Sequence, residues 1–79
     1  MMNTEEFSTL YFQLTTQKGL KASKVTDLTV KTLSDLSRAE QFKILDNTDT
    51  ESLERIFLSA YENQLFELCS TIIEVIKRT

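Results

Sequence analysis

Residues 48–78 read TDTESLERIFLSAYENQLFELCSTIIEVIKR, and the spacing of their apolar residues decides the fold. Leu53, Ile56, Phe57 and Ala60 stand at i, i+3, i+4 and i+7, the stripe of an amphipathic helix. Thr48 and Glu51 precede them at the spacing of a capping box. After Ala60 the stripe jumps one position, to Tyr61, Leu65, Leu68, Ile72 and Val75, a rotation of about 100°. A straight helix cannot hold both stripes on one face. A turn at Glu62, Asn63 and Gln64, with Asn63 in the left-handed region, divides the segment into helices over 49–62 and 65–78. One continuous helix of about 30 residues is the alternative.

The second of these helices carries surplus apolar surface. Between Leu65 and Ile76 the polar residues are Glu67, Ser70, Thr71 and Glu74, which fall on one narrow strip expected to face water. The rest of its circumference is apolar, about twice the ~100° stripe that a surface helix of a small domain needs. Either this helix lies centrally, wrapped by the others, or part of it meets another chain.

Upstream, Phe7, Leu10, Tyr11 and Leu14 form a third helical stripe, with Asn3 and Glu6 at capping-box spacing and Gly19 as the stop, predicting a helix over 4–18. Residues 24–36 admit two readings, because LTVKTL also suits a strand. A lone strand would leave its backbone groups unpaired, so we read a helix whose buried stripe is Val25, Leu28 and Leu36. Ser37 and Glu40 repeat the capping-box spacing before Ala39, Phe42 and Leu45, giving a short helix over 38–46 that Asn47 closes in the left-handed region. The expectation is one all-α domain over 1–79, a compact bundle of four to five short helices. Proline is absent and glycine occurs once, so the usual breakers of β-rich folds are missing.

Composition then removes function classes. No histidine is present, so the usual neutral-pH general base and every nucleophile–histidine pair are unavailable. A lone glycine builds neither a phosphate-binding loop nor a dinucleotide fingerprint. The run DNTDTE has calcium-loop composition, but its sixth position is Glu51 rather than glycine and its twelfth is Phe57 rather than a bidentate acid. Glu5 and Glu6, and separately Asp46, Asp49 and Glu51, are explained by helix starts. Cys69 has no cysteine partner and sits on an apolar arc, where it serves as a small hydrophobe. We therefore expect no enzyme activity, no cofactor and no metal.

The N-terminal sequence MMNTEEF lacks the bases of a secretory signal, and the longest stretch without formal charge, residues 7–17, is too short and polar to span a membrane. With one cysteine, a cytoplasmic protein without membrane insertion is expected. The scarcity of glycine, alanine, arginine and proline suggests an AT-rich genome, such as that of a phage. Net charge is −3, which disfavours nucleic acid as a general partner. The charge is uneven: Lys18, Lys21, Lys24 and Lys31 form a basic shoulder opposed only by Asp27, while residues 39–76 are acidic.

The function these features predict is a non-catalytic interaction module, a regulator, inhibitor or adaptor of another protein, with a homodimer as a further expectation. Phe12, Tyr61, Leu65, Phe66, Ile72, Ile73 and Ile76 are the expected partner-binding residues, because aromatic and aliphatic anchors dominate interface energy. The alternative is a dimeric nucleic-acid-associated regulator in which Lys18, Lys21, Lys24 and Lys31 approach phosphate.

Overall fold

A computed structural model describes residues 4–78 and contains five helices: α1 (Thr4–Thr16), α2 (Lys24–Ser34), α3 (Arg38–Leu45), α4 (Thr50–Glu62) and α5 (Phe66–Arg78). The described residues are all-helical, and every helix lies within two residues of its expected bounds. The expected cap at Asn3 lies outside the described residues.

The break between α4 and α5 falls where the two stripes collide, with its left-handed residue one position later than expected. Asn63 has φ −90°, and Gln64 takes the positive φ of 59°. The Asn63 side chain explains the shift, because its amide donates to the Ser59 carbonyl (2.8 Å) and to Asp27 (3.2 Å) and so holds its backbone in register with α4. Leu65 N–H then donates to the Ala60 carbonyl and Gln64 N–H to that of Tyr61, the paired bonds of a Schellman ending.

Other ends follow the same logic. Gly19 has φ +66°, as its lack of a Cβ allows, and Leu20 N–H returns to the Leu14 carbonyl. Ser37 and Glu40 form the expected capping box of α3. Asn47 is not left-handed; α3 unwinds through right-handed turns, and the Asn47 amide donates to the Lys43 carbonyl. The cap of α4 is Asp49 rather than Thr48, since an ionised carboxylate at the positive end of a helix is the better acceptor. Thr48 instead donates to the Ile44 carbonyl.

The α4 and α5 helices pack most extensively on each other, and α1 and α2 lie against α4 while α3 lies against α5. Leu53, Ile56, Phe57, Leu58 and Ala60 of α4 meet Leu68, Cys69, Ile72, Ile73 and Val75 of α5 in one core that also takes Phe7, Leu14, Val30, Leu33 and Leu45. Most of the surplus apolar arc of α5 is thus absorbed centrally. Thr71, expected to face water, is buried, and its hydroxyl is satisfied by the Glu67 carbonyl at 3.2 Å.

Helix α2 departs from expectation in rotation. Its buried apolar residues are Val30 and Leu33, whereas Val25 and Leu28 face solvent. The two stripes bury the same residue types, so hydrophobic transfer does not choose between them. Polar anchors on the other face do. The fully buried Ser59 hydroxyl of α4 donates to Thr26 Oγ1, which itself donates to the Ser23 carbonyl. Asp27 accepts from Asn63 beside it. Turning α2 to bury Leu28 would break this interhelical hydrogen bond, a loss of about 0.5–1.5 kcal/mol.

Candidate interaction surface

Five aromatic rings from three helices form one cluster. Phe7 lies near parallel to Phe66 at 6.2 Å and edge-on to Phe57 at 6.4 Å, Tyr11 stacks on Tyr61 at 4.7 Å, and Tyr61 meets Phe66 edge-on at 6.0 Å. Tyr61 shares a hydrogen bond with Ser8 (2.9 Å), and Tyr11 donates its phenolic proton to Glu62 (2.8 Å). That donation to a carboxylate raises the Tyr11 pKa above its ordinary 10.0, with burial adding to it. This cluster engages two of the expected partner residues, Tyr61 and Phe66, in holding α1 onto α4 and α5.

The remaining expected partner residues are dispersed. Ile72 and Ile73 are buried in the core, which removes them from any surface a partner could reach in this fold. Leu65 and Ile76 are half-buried against that core. Phe12 is exposed but isolated, since its helical neighbours Ser8, Thr9 and Thr16 are exposed polar residues. The sequence nominees therefore form no single patch. The cause is that the apolar excess of α5 faces α4 and α3 instead of solvent.

Four large apolar residues stand out among the described ones: Phe12 at 64% exposed, Val25 at 73%, Leu28 at 66% and Ile44 at 48%. Scattered single residues of this kind are ordinary on a small protein. Val25 and Leu28 differ, because they are one helical turn apart and so share a face of α2. On that face Leu28 has Lys24 one turn before it and Lys31 and Thr32 one turn after it, all exposed. The hydroxyls of Thr29 and Thr32 donate to the carbonyls of Val25 and Leu28, so the face offers a partner apolar surface and ammonium groups.

The lysines of the basic shoulder divide. Lys18 reaches both oxygens of Glu54 at 2.9 and 3.2 Å and pins the segment after α1 onto α4. Its charge is opposed within the fold, so Lys18 is separated from the phosphate-contact set expected for it. Lys21, Lys24 and Lys31 are exposed and make no ion pair among the described residues. By contrast, Arg38 pairs with Glu74, Lys77 with Glu6 and Arg55 with Glu51, while Arg78 lies over the Phe42 ring at 4.7 Å.

A groove of about 720 Å³ opens between the α2–α3 connection and the start of α5, lined by Leu36, Arg38, Gln41, Leu65 and Phe66 among others. Two of its polar side chains serve the fold: Gln41 donates to the Leu33 and Leu36 carbonyls and Arg38 binds Glu74. Among the described residues no cluster of acids and cysteine is placed to hold a metal, and no helix is long and apolar enough to cross a membrane. The Cys69 thiol is fully buried, and burial pushes its pKa up to about 12. The chain matches no family model, curated protein or solved structure with which it was compared.

Proposed function

We propose that the protein is a non-catalytic protein–protein interaction module, a small regulator, inhibitor or adaptor, and that it works in the cytoplasm. The observation that carries this reading is the pairing of Val25 and Leu28 on the outer face of α2, more than half exposed in a domain whose other helices direct most of their large apolar residues inward. Two adjacent exposed aliphatic residues that do not serve the core support a contact surface there. The chemistry of the chain supports the same class: it has no histidine, and its one thiol is protonated and buried at neutral pH.

The test compares capture of cellular proteins by the wild-type chain and by a Val25→Asp, Leu28→Asp double variant. Both substitutions fall on exposed positions, so circular dichroism should be unchanged while a specific partner is lost by about tenfold or more. Equal capture by both forms would sink the reading. Retention on DNA that falls with salt, and that disappears when Lys21, Lys24 and Lys31 become glutamine, would move the function to nucleic acid.

A further inference from the structure

We infer that the outer face of α2 docks a short acidic segment of another protein, in which apolar side chains are flanked by carboxylates. The inference rests on the interaction-module reading and deepens it by naming the partner's chemistry.

Size is the first argument. The helix has 11 residues, which at ~1.5 Å per residue span about 16 Å. A stable interface between folded proteins covers about 800 Å² on each side, a large share of a chain whose whole accessible surface is 5154 Å². One face of so short a helix is instead the dimension of a linear segment laid along it.

Charge supplies the rest. Lys24 and Lys31 bracket Leu28 on the exposed face, and Lys21 lies just before the helix. Their ammonium groups have no acidic partner among the described residues, while most of the other basic side chains do. Asp35, which caps the helix C-terminus, is an exposed acid on this face, and Asp27, half-buried, lies on the other side of the helix and accepts from Asn63. Lys24 also opens the helix at the positive end of its dipole, where a cation lowers helix stability. Its position suits a carboxylate arriving from outside. A second copy placed across a two-fold axis on this face would set lysines of like sign around the same apolar pair, which charge disfavours.

The experiment uses the ¹⁵N-labelled full chain and three synthetic helical peptides that share one leucine stripe, flanked by glutamate, glutamine or lysine. The glutamate peptide should shift the amides of residues 24–32 and bind about tenfold tighter than the glutamine peptide, with affinity falling as salt rises. Leu28→Asp should abolish binding, and the Lys24→Glu, Lys31→Glu variant should prefer the lysine peptide, while Phe12→Asp binds as wild type. Equal binding of the glutamate and glutamine peptides at α2 would overturn the acidic partner and leave the interaction module standing. So would a dimer, seen by light scattering, that Leu28→Asp dissolves. Failure of every peptide, with phosphatidylserine vesicles or duplex DNA shifting the same amides, would overturn both.

Discussion

Replacing leucine by alanine at two positions of α2 measures its rotation directly. Leu33 is almost completely buried, so Leu33→Ala removes core contacts and leaves a cavity, a change that costs about 2–5 kcal/mol. Leu28 is two-thirds exposed, so Leu28→Ala should alter stability by no more than about 0.5 kcal/mol. For a chain of 79 residues whole-domain stability is about 4–12 kcal/mol, and the first change therefore consumes a large share of it. At roughly 4–8 °C per kcal/mol, Leu33→Ala should lower Tm by at least about 8 °C, and Leu28→Ala should leave it within a few degrees. Urea and thermal unfolding followed at 222 nm provide both numbers, with protein concentration varied so that self-association shows itself. A Leu28→Ala loss equal to or larger than that of Leu33→Ala would mean that α2 turns its other stripe inward, and the docking face with its lysines would dissolve as an idea.

Three further outcomes follow from single sites. Gly19→Ala should destabilise by about 1–2 kcal/mol through backbone strain alone, because φ is +66° and no atom lies where the new methyl would go; an unchanged urea midpoint would contradict that backbone geometry. Cys69 should resist a disulfide reagent at pH 8 in the folded protein and react at the rate of unfolding, since its thiol is buried with a pKa near 12; rapid labelling of native protein would place it elsewhere. The Tyr11 phenol titrates above its ordinary value, so its contribution to stability is full below pH 10 and is lost as pH rises through the higher folded-state value; ultraviolet titration should show this shift reduced in Glu62→Gln, and an unaffected titration would remove the Tyr11–Glu62 bond from the account.

Features governed by local sequence are legible in the sequence itself. The one-position slip after Ala60 located the α4–α5 turn, because a rotation of ~100° cannot be hidden in a straight helix. Ser37 with Glu40 and Gly19 with its missing Cβ fixed two helix ends by chemistry that needs no tertiary partner. The errors lie where a distant side chain intervenes. Asn63 is a good left-handed residue in isolation, yet its amide is engaged by Ser59 and by Asp27 of α2, and Gln64 adopts the turn conformation instead. Burial of Thr71 is another such case, since its hydroxyl is satisfied by the helix's own Glu67 carbonyl and the residue becomes acceptable core.

The outer face of α2 is illegible in the sequence for the same physical reason. The helix carries two apolar stripes of equal composition, Val25 with Leu28 and Val30 with Leu33, so at about 25 cal/mol per Å² buried either stripe gains the same transfer energy and periodicity leaves the rotation degenerate. Thr26 and Asp27 belong to the second stripe, and they break the tie by meeting Ser59 and Asn63 of α4. A polar pair inside an apolar stripe reads in sequence as a weakness of that stripe. In the folded chain it is the feature that selects it, because with transfer energy equal on the two stripes the hydrogen bonds to Ser59 and Asn63 favour this rotation. The rotation that satisfies Ser59 is the rotation that presents Val25, Leu28, Lys24 and Lys31 together at the surface. The rotation of α2 and the candidate site are thus set together by two hydrogen-bonded contacts between α2 and α4.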